Sequence, residues 1–167
     1  MIKKIIRITL IILLIILIII QFIRPAKNNS PVIAANTISA KLHVPDSVLT
    51  ILKMSCYDCH SNHTDYPWYN KLQPVMWFLT DHINEGKRKL NFDEFASYSI
   101  SKQYKRLKDI GGEVKTDDMP LESYTLIHRD AVLNAAQKDL IISWVNDSRH
   151  LMEVQYPADS LKSKPRK

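Results

Sequence analysis

Both cysteines of this 167-residue chain lie within five residues, in the sequence Cys56-Tyr57-Asp58-Cys59-His60. The C-x-x-C-H spacing is the attachment pattern of a c-type haem, in which two thiols bind one porphyrin covalently. Thiols three positions apart lie on one face of a helical turn, and the histidine that follows them can supply the proximal ligand of the iron. We therefore predict one covalently bound haem c on Cys56 and Cys59, with His60 as an iron ligand.

Two other uses of the same motif have to be considered. A C-x-x-C pair can be a redox-active dithiol, but such pairs usually lie near a βαβ pattern, which this sequence does not show. Zinc is the stronger alternative, because His63 would add a fourth ligand to Cys56, Cys59 and His60. Four ligands from one short loop make a cramped tetrahedral site, however. The motif favours haem, and a zinc-binding interaction module and a thiol pair stay open as alternatives.

An iron bound through this motif has a sixth position, and Met119 is the residue that the sequence favours for it. Met119 lies in the loop 117–120 beside two aspartates, a polar setting that is unusual for a methionine that only fills a core. Pro120 restricts the residue before it to extended conformations, from which a thioether can reach across a pocket. A methionine ligand raises the reduction potential of haem iron. His63 and His82 remain as alternative sixth ligands.

The first 24 residues have the composition of a membrane-inserting segment. Basic residues precede an uncharged run from Ile8 to Ile23, which covers most of the roughly 30 Å of hydrocarbon in a bilayer. No small-x-small cleavage site follows directly, so an uncleaved signal anchor is favoured over a cleaved signal peptide. We predict that residues 1–24 form a transmembrane helix, with residues 5–23 in the bacterial inner membrane. The positive-inside rule then places the remainder of the chain in the periplasm.

The distribution of charge argues against a nucleic-acid partner. The net charge is +6, but residues 1–41 carry six basic side chains and no acidic one, which leaves 17 basic and 17 acidic residues in the rest of the chain. Four of the remaining basic residues lie in the tail at the carboxyl end, against one acidic residue, so the folded part of the chain is mildly acidic. The excess charge therefore belongs to the two ends of the chain and not to a binding face.

The chain divides into an anchor and one small domain. Proline and asparagine in residues 25–44 indicate a tether, residues 45–156 form the haem-binding domain, and residues 157–167 form a basic tail. Only three glycines occur and no strand-like alternation persists, so the domain is predicted to be all-α, a small cytochrome c-like haem domain behind the transmembrane helix.

Four helices are predicted in the domain from apolar residues at helical spacing and from start and stop signals. They are a helix that begins at Asp46 or Ser47 and runs into the cysteine motif, a helix after Pro74, a helix over residues 93–110 that Gly111 and Gly112 stop, and a last helix that Asn134 and Gln137 cap.

The pattern over about residues 45–147 resembles the bacterial haem-binding domain family, whose members are small single-haem proteins. The matching residues include Cys56-Tyr57-Asp58-Cys59-His60-Ser61-Asn62, Tyr66-Pro67-Trp68-Tyr69, His82-Ile83-Asn84-Glu85-Gly86, Met119-Pro120, Tyr124, His128 and Trp144. The resemblance implies covalent haem at Cys56 and Cys59 with His60 as proximal ligand, and attachment of the haem on the outer side of the inner membrane. Met76 departs from the family pattern, in which a small residue is common at that position.

These features together predict a membrane-anchored c-type haem protein that transfers one electron to and from redox partner proteins, a carrier rather than an enzyme. A haem enzyme or a sensor of gas or peroxide, with an open position on the iron, is the alternative within haem chemistry. The aromatic residues Tyr66, Trp68, Tyr69 and Trp77 are expected either to line the haem pocket or to fill ordinary core.

Overall fold

The computed structural model describes residues 1–162, and in that range the fold is all-α, as predicted. Its α-helices are α1 (Ile2–Ile20), α2 (Ile38–Lys41), α3 (Asp46–Ser55), α4 (Tyr57–His60), α5 (Val75–Lys89), α6 (Ile100–Lys115), α7 (Glu122–Thr125), α8 (Ala135–Gln155) and α9 (Ala158–Leu161). Short 3₁₀ helices cover Ala34–Asn36, Trp68–Lys71, Phe92–Ser97 and Arg129–Ala131.

The hydrophobic core lies between α3, α6 and α8, which pack their apolar faces together. Leu52, Leu107 and Ile141, one from each helix, are fully buried. Phe92 and Phe95 of the 3₁₀ helix Phe92–Ser97 join the same core. The burial of these side chains supplies most of the driving force that holds the helices in place.

The last long helix, α8, has the start that the sequence predicts. The Asn134 side chain accepts a hydrogen bond from the Gln137 backbone N–H, and the Gln137 side chain accepts one from the Asn134 N–H, both at 2.9 Å. This reciprocal capping box satisfies two backbone donors that the first turn of a helix leaves without partners. The apolar residues Ile141, Trp144 and Val145 of this helix all lie in the core.

The predicted helix over residues 93–110 is wrong at both ends. The segment Phe92–Ser97 is a 3₁₀ helix, and α6 begins only after Ser99, which caps it. At the other end α6 continues through Gly111 and Gly112 to Lys115. A Cβ at Gly111 would lie 3.2 Å from Val145 Cγ1 of α8, so this glycine permits close packing of two helices. Tertiary packing therefore outweighs the weak helix propensity of glycine here.

The predicted tether is partly folded onto the domain. Ile38 of α2 is completely buried in the core, and the His43 carbonyl accepts a hydrogen bond of 3.1 Å from Trp144 Nε1. Further back, the Asn28 side chain donates to the Ser61 carbonyl at 3.0 Å and to Thr64 Oγ1 at 2.9 Å. These bonds connect residues before the domain to the loop that follows the cysteine motif.

The segment predicted as a transmembrane anchor forms α1, a helix of 19 residues that includes Lys3, Lys4 and Arg7 and buries none of its residues. Within residues 1–162, no helix combines the length and the apolar character that crossing a bilayer requires.

The predicted basic tail begins with a folded segment. Its residues 158–161 form α9, and Leu161 packs against the core. Of its basic residues, Lys164, Arg166 and Lys167 lie outside the described residues.

Candidate functional site

The cysteine motif spans the junction of α3 and the single turn α4. Cys56 lies between the two helices, its N–H donates to the Leu52 carbonyl at 2.8 Å, and its carbonyl accepts a bond of 3.0 Å from the His60 N–H. Both cysteines are free thiols and are partly buried. Cys56, Cys59 and His60 line one cavity. The backbone of α4 therefore presents the three predicted site residues to the same space.

The imidazole of His60 is held in a defined orientation by the end of α5. Its Nδ1 lies 3.0 Å from the carbonyl oxygens of both Gly86 and Leu90. Carbonyl oxygens only accept, so Nδ1 carries the proton and Nε2 is left with its lone pair available. Burial lowers the pKa of His60 and so favours the neutral ring. A neutral imidazole whose second nitrogen donates to a carbonyl is the usual state of a histidine that binds a metal.

Gly86 brings α5 into contact with the motif. A Cβ at this position would lie 2.7 Å from the Cys59 carbonyl oxygen, closer than real Cβ atoms come to backbone. The absence of a side chain thus lets the Gly86 carbonyl reach His60. The resemblance to the haem-binding family includes this glycine but does not identify its role, because the close approach is a tertiary feature.

Burial also sets the protonation of the two thiols. It raises the pKa of Cys56 to about 12, with a further contribution from Cys59. Burial, together with the charge of Asp58, raises the pKa of Cys59 to about 11. Both groups are therefore neutral thiols near pH 7, unlike the thiolates of redox-active C-x-x-C pairs, whose pKa is lowered.

The described residues give the zinc alternative no support. Within residues 1–162, no three or more histidine, cysteine, aspartate or glutamate side chains are grouped so that they could hold a metal ion. His63 lies away from the cavity, with its Nδ1 3.2 Å from Asn29 Oδ1 and its Nε2 3.3 Å from Asp65 Oδ1.

Two adjacent cavities of about 180 and 150 Å³ meet at the motif. Six residues line both: Ser55, Cys56, His60, Lys89, Met119 and Pro120. Only the larger is lined by Cys59, with Asp58, His82, Glu85, Gly86, Leu121 and Tyr124. Only the smaller is lined by Leu90, Phe92, Arg106, Asp109, Ile110, Glu113 and Val114. The two cavities form the two ends of one site around His60 and Met119.

Met119 reaches this site from the loop between α6 and α7. The Met119 N–H donates to the Glu113 carbonyl at 3.2 Å, which ties the loop to the end of α6. Asp117 adopts a left-handed backbone conformation with φ 63° and pairs with Lys138 of α8. An aspartate tolerates this conformation better than most residues. The chain turns here, and Met119 comes to line the same cavities as His60.

The other candidate ligands differ in their position. His82 lines the larger cavity, and its Nδ1 donates to the Phe78 carbonyl at 2.8 Å. It belongs to α5, the same helix whose end is hydrogen-bonded to the His60 ring. Met76 is buried and lines neither cavity. Met119 is thus the candidate that approaches the cavities from a different part of the chain.

Tyr124 and Phe92 are wall residues that motif analysis did not assign. The Tyr124 hydroxyl donates to Asp58 Oδ2 at 2.7 Å, and its pKa is raised by burial and by this bond. The Phe92 ring stacks on Tyr57 with centroids 4.9 Å apart and lies edge-on to His60 at 6.2 Å. The sequence signals for this contact are the position of Asp58 inside the motif and the place of Tyr124 among the residues that match the haem-binding family.

The aromatic residues that were expected either to line the pocket or to fill core lie outside both cavities. The Tyr66 hydroxyl accepts a bond of 2.7 Å from the Asn28 N–H, and Trp77 Nε1 donates to the Ile23 carbonyl at 3.0 Å. Tyr69 bonds to His128 Nε2 at 2.7 Å. These side chains hold neighbouring segments in place.

Comparison with known proteins gives one match. The family model of the haem-binding domain matches residues 15–147, which include the end of α1, the predicted tether, the cysteine motif and Met119. No curated protein and no solved structure matches the chain. Since the match covers most of the chain and contains the site described above, this protein belongs to the haem-binding domain family.

Proposed function

We propose that the chain is a c-type haem protein that carries single electrons. Cys56 and Cys59 would bind the porphyrin through thioether bonds, and His60 and Met119 would bind its iron. The observation that carries the proposal is that all four side chains line one cavity while the carbonyls of Gly86 and Leu90, at the end of α5, orient the His60 ring. The bound iron supplies the chemistry, a reversible change between two oxidation states.

The side chains present fit a haem group. The site offers neutral thiols for covalent attachment, an imidazole with Nε2 available and a thioether on a separate element. Apolar side chains such as Phe92, Ile110 and Val114 line the smaller cavity and would exclude water from a porphyrin face. The hydrogen bonds from Nδ1 to backbone carbonyls raise the basicity of His60 as a ligand.

The position of Met119 supports its role as the sixth ligand. α5 lies on the His60 side of the site, since its carbonyls contact that ring. The Met119 loop is bound instead to α6 and α8. His82 lies on α5, the helix whose end contacts the His60 ring, so Met119 is the better candidate to oppose His60. A sulfur ligand favours the reduced iron and so raises the reduction potential.

The proposal extends to location and partners. Attachment of haem to C-x-x-C-H motifs on the outer side of the bacterial inner membrane suggests that residues 1–24 direct the domain to the periplasm and associate it with the membrane. The basic residues before the apolar run, and the absence of any buried side chain in α1, support this part of the proposal. Electrons would then pass to and from redox partner proteins at that surface.

The test is expression of the full chain in a bacterial host with a cytochrome c maturation system. The purified protein is expected to have the mass of the polypeptide plus one haem, to keep the haem in denaturing electrophoresis and to show a c-type α band on reduction. The matched control is the double variant Cys56→Ala, Cys59→Ala, which should lose covalent haem. A wild-type protein with the bare polypeptide mass would contradict the proposal.

A further inference from the structure

The two ends of the site differ in the chemistry that they offer. The larger cavity contains Cys59, so it is the end where the second thioether bond would form. The smaller cavity lacks Cys59 and extends along α6 past Ile110 and Val114 to Arg106. A haem has its two propionate carboxylates at the edge away from the attachment points, and those carboxylates need cationic or hydrogen-bonding partners.

Arg106 has a donor without a partner at this second end. Its Nη1 lies 2.7 Å from Asp109 Oδ2, but its Nε is buried and has no hydrogen-bond partner within residues 1–162. The side chain is 23 % exposed and lines the smaller cavity. A buried N–H of a charged group that is left without an acceptor costs free energy, so an occupant that supplies an acceptor is favoured.

We propose that Arg106 is the residue that binds a haem propionate, with its Nε–H as the donor that Asp109 leaves free. This inference rests on the proposed function, since it takes the haem to occupy the site. A planar guanidinium suits a carboxylate better than an ammonium does, because its N–H donors form a rigid fork. Arg106 is therefore a cofactor-binding residue that the C-x-x-C-H motif gives no means of finding.

The other charged groups at this end are Lys89 of α5 and Asp109 and Glu113 of α6. Lys89 pairs with Glu85 at 2.9 Å, and its side chain is 61 % exposed. Because Lys89 is already ion-paired with Glu85 and exposed to water, it is a weaker partner than Arg106 for a buried carboxylate. Asp109 and Glu113 repel a carboxylate, and this increases the dependence of such a group on Arg106.

The experiment is a measurement of the midpoint potential against pH for the full chain with its covalent haem. In Arg106→Gln the inflection assigned to propionate ionisation should move to higher pH by about 1 unit or more, because the cation that favours the carboxylate is gone. Arg106→Lys keeps the charge but lacks an Nε–H at that place, so its inflection should move in the same direction by less.

Arg149 provides a matched control. It lies on α8, its Nε is also buried without a partner in the described chain, and it packs over the Tyr104 ring at 4.5 Å, away from both cavities. Arg149→Gln should leave the inflection where the wild type has it. An equal shift in Arg149→Gln, or no shift in Arg106→Gln, would overturn the inference.

If Arg106→Gln does not retain haem, the inference is tested with Arg106→Lys alone. An inflection in that variant at the same pH as in the wild type contradicts the contact between Arg106 Nε–H and the propionate. The mass of the wild-type protein separates the two proposals. A wild type without covalent haem contradicts the proposed function and removes the basis of this inference, whereas a haem-loaded protein with an unmoved inflection contradicts the inference alone.

Discussion

The two walls of the proposed haem site are built in different ways. On one wall His60 has its ring nitrogen 3.0 Å from the carbonyls of Gly86 in α5 and of Leu90 just after it, and Gly86 lets that helix touch the motif backbone. On the other wall Met119 lies in a loop that two backbone bonds to the Glu113 carbonyl, from the N–H groups of Asp118 and Met119, connect to α6, and that one ion pair connects to α8. The comparison suggests that the first wall is part of the folded framework, while the second can change with little cost to the framework.

The largest effect on the proposed haem site is expected where α5 meets the motif. In Gly86→Ala the new Cβ would collide with the Cys59 carbonyl oxygen at 2.7 Å, so α5 must move and the carbonyls that hold His60 move with it. We expect a loss of roughly 1–3 kcal/mol in the free energy of unfolding together with poor haem incorporation. Urea denaturation and the haem-to-protein absorbance ratio measure the two effects.

Gly112→Ala is the control for that substitution. Gly112 is also in a helix, but a Cβ there meets no atom within 4 Å. Alanine should therefore stabilise the protein by about 0.5–1 kcal/mol through helix propensity alone. Equal stability changes in the two variants would remove the argument that α5 must touch the motif.

The second effect tests the other wall. Met119→Ala should keep its covalent haem and lose little stability, because the Met119 loop has few contacts with the core. The iron should lose its sulfur ligand, which lowers the reduction potential and lets the reduced protein bind carbon monoxide. Spectra of both oxidation states with and without carbon monoxide measure this change.

Met76→Ala is the matched variant for the methionine test. Met76 is buried but lines neither cavity, so it should lose stability, by roughly 2–5 kcal/mol, and retain the wild-type spectrum. Carbon monoxide binding by the unaltered protein would show that no residue closes the sixth position and would favour the sensor or enzyme alternative.

A third and smaller effect is expected at the bond that joins the two walls. Tyr124→Phe removes the hydroxyl that donates to Asp58 of the motif at 2.7 Å. A hydrogen bond to a charged group is worth about 1.5–3 kcal/mol, and partial exposure of the pair puts the expected loss near the lower value. Thermal unfolding of the haem-loaded protein measures it, with Tyr66→Phe as a control whose hydroxyl contacts Asn28 instead.

The smallest effect is expected at the ion pair that fastens the Met119 loop to α8. Lys138→Ala removes the partner of Asp117, which is largely exposed. Pairs of this kind contribute about 0–1 kcal/mol, so unfolding should change little. A large loss of stability, or loss of the methionine ligand, would show that the loop is as firmly built as the His60 wall.

How far the sequence predicts this molecule depends on the range of the interactions. The C-x-x-C-H spacing and the Asn134 capping box are local, and the structure places Cys56, Cys59 and His60 on one cavity wall and α8 at its predicted start. The extension of α6 through Gly111 was not predictable, because it depends on contact with Val145 far along the chain.

The sequence also did not predict residues that reach their positions through contacts between distant segments. Arg106 has no motif around it, and its donor without a partner becomes visible only when α6 is packed beside the cavity. The predicted tether likewise has the composition of a linker, yet Ile38 is completely buried, on a helix that packs against the 3₁₀ helix Phe92–Ser97. Proline and asparagine content reports local conformation and not such distant docking.

The segment just after α1 affects how a shortened protein should be designed. The Gln21 side chain bonds to both the N–H and the carbonyl of Gln73, and the Ile23 carbonyl accepts from Gln73 and Trp77. Removal of residues 1–24, the ordinary way to discard an apolar leading helix, would deprive those two side chains of their partners. A shortened protein that begins at or before Leu17 keeps all four bonds.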